Sequence, residues 1–126
     1  MTKILVMDDE IFIREMMGDM LSFYGYEVTL VDDGARVLEL LAINHYDLCI
    51  LDVSVPKGLG AVETLFLMKQ NKTFVKSILS TGYSDIDLVK NYKQHGFCGL
   101  LTKPFDIETI KLYIDSCLEA KNLSSL

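Results

Sequence analysis

The sequence predicts an α/β fold: a parallel sheet covered by helices on both faces, in three layers. Three observations predict it. Short apolar runs alternate with longer amphipathic stretches, giving five β-α units in a row. Most of the short runs are apolar without strict alternation, the pattern of strands buried on both sides. The length, 126 residues, suits one domain around one core. Crossovers between parallel strands of one sheet are right-handed.

Each element has its own signal. KILVM (3–7) reads as the first strand, with apolar Ile4 to Met7. A helix over about 10–24 places Phe12, Met16, Met20 and Tyr24 on one face at i, i+4 spacing. YEVTLV (26–31) is the second strand, followed by a helix over about 34–44 with Val37, Leu38 and Leu41. DLCILD (47–52) is the third strand and precedes a helix over about 60–71. VKSILS (75–80) is the fourth. The helix after it, about 85–95, opens with the capping pattern Ser84-x-x-Asp87 and closes at Gly96. CGLL (98–101) is the last strand. The final helix, about 106–121, has Asp106 as its cap and an inner stripe of Ile107, Ile110, Ile114, Cys117 and Leu118. No repeat, low-complexity tract or linker interrupts residues 1–126, which are expected to form one domain with no second domain. The closing KNLSSL is a polar tail expected to fray.

Composition excludes several classes of function. Half the residues are hydrophobic and about a quarter are charged, as in soluble globular proteins. No apolar run approaches the roughly 18 residues that span a bilayer. Met1-Thr2-Lys3 leads directly into the first strand and leaves no room for a signal peptide, so a cytoplasmic protein without membrane partners is expected. A net charge of −6 and a pI of about 4.8 argue against nucleic acid as a partner. Cys49, Cys98 and Cys117 show no paired spacing and lie in apolar segments, so they are expected to be core thiols in a reduced compartment.

In an open α/β sheet, ligands bind beyond the carboxyl ends of the strands. Asp8 and Asp9 follow the first strand, Asp52 ends the third, Ser80-Thr81-Gly82 ends the fourth and Thr102-Lys103-Pro104 ends the fifth. Asp32-Asp33-Gly34 after the second reads equally well as a plain turn. Two carboxylates about 4 Å apart cost on the order of 4 kcal/mol at an effective dielectric of about 20. Such a cluster therefore calls for a counter-charge. Oxygen-only ligands suit a hard divalent cation, and a few carboxylates with water suit Mg²⁺ better than an all-protein Ca²⁺ cage. Lys103 adds a cation for an anionic ligand and Thr81 a hydroxyl donor. Acids, metal, hydroxyl and ammonium together describe phosphoryl transfer. No Cys or His stands at a strand end, so the nucleophile is a carboxylate or hydroxyl, with Asp52 the best placed. Taken singly, Asp8-Asp9-Glu10 reads equally well as a helix start, Thr81 reads as a turn residue and Lys103 as a solvated surface residue. His45 and His95 sit near helix C-termini, where the dipole favours them. The conjunction at four strand ends favours the site.

ILVMDDE, DLCILDVSVP, LSTGYSD and GLLTKPF, in this order, carry a family likeness. Over about residues 3–120 the chain resembles a response-regulator receiver domain of bacterial two-component signalling. The resemblance implies a flavodoxin-like (βα)5 sandwich with strand order 2-1-3-4-5. It implies Asp52 as the phosphate acceptor. Asp9 would be the direct Mg²⁺ ligand, Asp8 would act largely through water, and Ser54 would give its backbone carbonyl. Thr81 and Lys103 would bond the phosphoryl group, with a cis bond from Lys103 to Pro104. Ser54 and Tyr83 would flank the path of the hydrolytic water. The partners implied are a sensor histidine kinase or histidine phosphotransfer protein and a downstream protein contacted through the last two helices and fifth strand, by a monomer or weak dimer. Two features depart from the usual pattern. Leu100 stands where an aromatic switch residue is common. VPKGLGAVE is one residue longer than the usual loop and resembles receivers joined to hybrid sensor histidine kinases. A phosphatase with a phospho-aspartate intermediate would want a second acid two residues after Asp52, where Ser54 stands. A flavin carrier would want a hydroxyl- and Gly-rich loop where the three acids stand.

Overall fold

The computed structural model describes residues 1–82 and 86–124. The elements run β1 (Lys3–Met7), α1 (Ile11–Phe23), β2 (Glu27–Val31), α2 (Gly34–Leu41), β3 (Leu48–Asp52), α3 (Ala61–Gln70), β4 (Ser77–Thr81), α4 (Ile86–Lys90), β5 (Gly99–Thr102) and α5 (Ile107–Ser124). The sheet order is β2-β1-β3-β4-β5 and every pairing is parallel.

Alternation along each strand divides the core in two. Leu5, Met7, Cys49, Leu51 and Leu79 pack with Val37, Leu65, Met68 and Leu88 of α2, α3 and α4. Ile4, Val6, Leu48, Ile50 and Ile78 pack with Met17, Leu21, Ile110 and Ile114 of α1 and α5. Because the central strands are covered on both sides, their sequences are continuous apolar runs. The register pairs Met7 with Leu51, Asp52 with Ser80 and Thr81 with Thr102, so the carboxyl ends of four strands finish along one edge.

Three expectations are corrected. The predicted face of the first helix, Phe12 to Tyr24, is not the inner one. Met17 and Leu21 are buried with Ile13 and Met20 packed beside them, whereas Phe12 is 85% exposed. The helix is apolar on two sides, and the sheet selects one. The fourth helix is shorter than expected. It ends at Lys90, and turns carry the chain to Gly96, whose φ is +103°. The Asn91 side chain bonds the carbonyl and carboxylate of Asp87, at 3.1 and 3.0 Å, at the residue just past the last helical one. The cysteines are not all thiols. Cys98, just before β5, and Cys117 on α5 are joined as a disulfide, and Cys49 alone is free and buried. Asp106 does cap α5, accepting the Thr109 N–H at 2.8 Å.

Candidate functional site

The site begins where β1 runs out. Asp8 is 3% exposed. Its backbone N–H still reaches Val31 of β2, at 3.1 Å. Its Oδ1 accepts the Glu10 N–H at 2.9 Å, and its carbonyl accepts the Arg14 guanidinium at 2.8 Å. The Asp8 carboxylate is thus oriented by the first turn of α1. Asp9 and Glu10 are exposed beside it.

Asp52, the last residue of β3, is 2% exposed. Lys103 follows β5, and its N–H bonds the Thr81 carbonyl at 2.8 Å. Its ammonium then lies 3.0 Å from Asp8 Oδ2, 3.3 Å from Asp52 Oδ1 and 3.9 Å from Glu10 Oε1. The Ser54 N–H approaches Asp52 Oδ1 at 3.4 Å. Burial, and then the charge of Asp8, push the Asp52 carboxyl up to about 6, against the opposing pull of Lys103. Burial also works against the charge on Lys103. Its bond to Asp8 and the fields of Asp52 and Asp8 outweigh that, so its pKa is raised. The two directions agree physically: one ammonium is shared by carboxylates that repel each other.

A cleft of about 390 Å³ opens above these groups, lined by Asp9, Glu10, Asp52, Val53, Ser54, Pro56, Gly82 and Lys103. Asp8, Asp9 and Glu10 each bring a carboxylate oxygen within 4.8 Å of the others. This all-oxygen, acidic donor set fits Mg²⁺. Glu10 belongs to the converging trio, although sequence reasoning left it out of the metal set; its place directly after Asp9 was the available signal. Asp52 meets the trio through Lys103. Ser54 lies on the wall of the cleft. Thr81 is different: its side chain is fully buried, it does not line the cleft, and its hydroxyl has no hydrogen-bond partner among the described residues. Tyr83 and the capping residue Ser84 lie outside the described residues. Leu100 packs against the α2–α3–α4 side of the core, and the Lys103–Pro104 bond is cis. His45 pairs with Asp47 at 3.1 Å, away from the cleft.

Asp33, which the sequence leaves open between a strand-end site and a plain turn, has two backbone partners. It accepts the Ala35 N–H at 2.9 Å as the cap of α2 and the Leu59 N–H at 3.1 Å from the β3–α3 loop. These two bonds, in that order, hold its carboxyl below the usual range.

Comparison with known proteins gives a consistent result. Residues 4–115 match the family model described as response regulator receiver domain. Sporulation initiation phosphotransferase F of Bacillus subtilis is 29% identical over 95% of this chain and 96% of its own. Transcriptional regulatory protein FixJ of Bradyrhizobium diazoefficiens is 30% identical over 91% of this chain, which spans 56% of that protein. A response regulator receiver domain protein from Clostridium thermocellum superposes with a TM-score of 0.87 at 27% identity, covering 98% of both chains. Among the described residues no helix is long and apolar enough to cross a membrane.

Proposed function

The chain belongs to the response regulator receiver domain family, the phospho-accepting modules of two-component signalling, and on that premise we propose that Asp52 is the residue that takes the phosphoryl group. The observation that carries this reading is the Lys103 ammonium lying between Asp52 and Asp8 at the floor of an acidic cleft. A carboxylate oxygen of Asp52 attacks phosphorus, a P–O bond forms, and the P–N bond of a phosphohistidine breaks. The imidazole leaves with the electron pair and takes up a proton. Lys103 holds a positive charge where the new phosphoryl oxygens arrive. Asp8, Asp9 and the Ser54 backbone carbonyl, with Asp52 itself, would hold Mg²⁺, and Glu10 stands close enough to join them. Mg²⁺ when bound supplies charge neutralisation for the phosphoryl group. Thr81 brings an unpaired buried hydroxyl beside the cleft, a donor that gains a partner if a phosphoryl oxygen draws it over.

The donor in this reading is a histidine kinase or histidine phosphotransfer protein in the cytoplasm, and residues 1–126 act as one receiver unit that catalyses nothing beyond its own phosphorylation and dephosphorylation. A monomer or weak dimer then passes the signal by protein contact through α4, β5 and α5, or by onward transfer. Exposed Ile86 and Leu112 give that face apolar contact points. Incubation with acetyl phosphate should add one phosphoryl mass only when a divalent cation is present. Asp52→Asn keeps the shape and removes the nucleophile. Labelling of that variant at the parental rate would refute the assignment.

A further inference from the structure

The β3–α3 loop, which carries Ser54, is tied to the start of α2, which lies on the same face of the sheet as α3. Asp33 Oδ1 accepts the Leu59 N–H at 3.1 Å across 26 residues of sequence. Gly34 returns the contact, its N–H donating to the Leu59 carbonyl at 3.0 Å. Both sides of the Leu59 backbone are therefore held by the N-terminus of α2. The joint has no room to spare. A Cβ on Gly58 would collide with the Asp33 carboxylate, and one on Gly34 would lie 2.7 Å from the Leu59 carbonyl oxygen. At its other end the loop is fixed by the Val53 N–H on the Ser80 carbonyl, at 2.9 Å. Between these anchors Ser54 and Pro56 face the acidic cleft, and a turn closes from the Gly58 N–H to the Val55 carbonyl at 3.1 Å. A second cleft of about 300 Å³ lies behind the loop, with Asp33 and Asp9 both on its wall.

We propose that Asp33 is a positioning residue for the site: by clasping Leu59 it sets where the β3–α3 loop, and hence the Ser54 backbone carbonyl, stands relative to Asp9 and Asp52. The inference rests on the reading of the cleft as a Mg²⁺-assisted phosphoacceptor. It adds a residue that touches neither metal nor phosphate. Partners that orient metal ligands from outside typically matter 10- to 100-fold in affinity. The alternative is plain electrostatics, in which Asp33 contributes only one more negative charge near a cation. Substitution separates the two. Asp33→Asn keeps an oxygen acceptor and removes the charge, Asp33→Ala removes both, and Asp32→Asn removes a neighbouring charge without touching the clasp.

The test measures Mg²⁺ affinity by calorimetry and backbone amide exchange of the metal-free full chain by NMR. Asp33→Ala should weaken Mg²⁺ binding about tenfold and speed exchange at Leu59 while β3 amides exchange as in the parent. Asp33→Asn and Asp32→Asn should stay within about threefold of the parent in affinity. Gly58→Ala leaves Asp33 in place and crowds the loop, so it should reproduce the Asp33→Ala pattern if that variant folds poorly. Unchanged exchange at Leu59 in Asp33→Ala would overturn the clasp. Equal losses in Asp33→Ala, Asp33→Asn and Asp32→Asn would assign the effect to charge and overturn the proposal. Faster loop exchange with parental Mg²⁺ affinity would overturn the link between clasp and metal. If the parent itself binds no Mg²⁺, the metal reading falls and the proposal with it, and the exchange data still report whether Asp33 holds the loop.

Discussion

Lys103 Nζ lies 3.3 Å from Asp52 Oδ1, joining the ends of β5 and β3 across 51 residues of sequence. Asp8 is 3.0 Å from the same ammonium, so one cation serves two buried carboxylates. Removing one partner of such a group costs roughly 3–5 kcal/mol when the remaining charges stay buried and ionised. Lys103→Met in metal-free protein should therefore lose roughly 3 kcal/mol at pH 8 and less at pH 5, where Asp52 takes up a proton. Urea denaturation in EDTA at both pH values checks this. Equal stability of variant and parent at pH 8 would show that the ammonium does not hold the carboxylates together.

Asp52 makes a second prediction through its own proton. Its pKa is raised from an ordinary 3.8 to about 6, first by burial and then by Asp8. The folded protein thus holds this proton more tightly than the unfolded chain. Stability from this group is present below pH 3.8 and declines as pH rises through about 6. The shift corresponds to on the order of 2–3 kcal/mol at neutral pH. Asp52→Asn should stabilise metal-free protein at pH 7 by up to that amount and flatten the pH dependence between about 4 and 6. An Asn variant less stable than the parent at pH 7 would mean that Asp52 is stabilised in its charged form.

Asp9 is exposed and belongs both to the acidic trio and to the walls of the two clefts. Asp9→Ala removes one carboxylate and one charge from the acidic trio and no contact from the core. Mg²⁺ affinity should fall by at least about tenfold, with metal-free stability equal to the parent or slightly higher because a repulsive carboxylate is gone. Calorimetric titration and thermal unfolding in EDTA measure the two effects. Parental Mg²⁺ affinity in the variant would exclude Asp9 as a ligand.

The strands and the meeting of Asp8, Asp52 and Lys103 at one edge of the sheet were legible because their signals are local. Each strand is a short apolar run bounded by polar or turn residues, and Asp8, Asp52, Thr81 and Lys103 stand directly at strand ends. What was not legible depends on packing between distant segments. Ile11, Phe12, Ile13, Met16, Met17, Met20 and Leu21 make α1 apolar on two sides, and only its seat against the sheet shows that Met17 and Leu21 go inside. The second bond of Asp33 reaches a loop 26 residues away. The burial of the Thr81 side chain follows from its neighbours in space. Cysteine spacing says nothing of a pair 19 residues apart, brought together when α5 docks on β5.

That pairing gives the last prediction. Cys98 and Cys117 have Cα atoms 5.6 Å apart, within the usual range for a bridge. Lys76 supports the same join by donating to the Cys117 carbonyl at 2.9 Å, so the middle of α5 is tied to the starts of both β4 and β5. In the chain-entropy account a bridge closing a loop of about this length stabilises by roughly 3 kcal/mol, through restriction of the unfolded chain. Cytosolic thiol pools keep most such pairs reduced. Because the two sulfurs are bonded in the structure, protein purified in air without reductant should be about 2 Da lighter than the dithiol and should gain that mass on reduction, the addition of two hydrogens that a reduced disulfide requires. Reduction, or Cys98→Ser, should lower stability by about 3 kcal/mol or less. The helical content should stay unchanged, because Ile110 and Ile114 still seat α5 on the sheet. A free-thiol titre of three per chain in unreduced protein, matching Cys49, Cys98 and Cys117, would show that the pair stays open in solution.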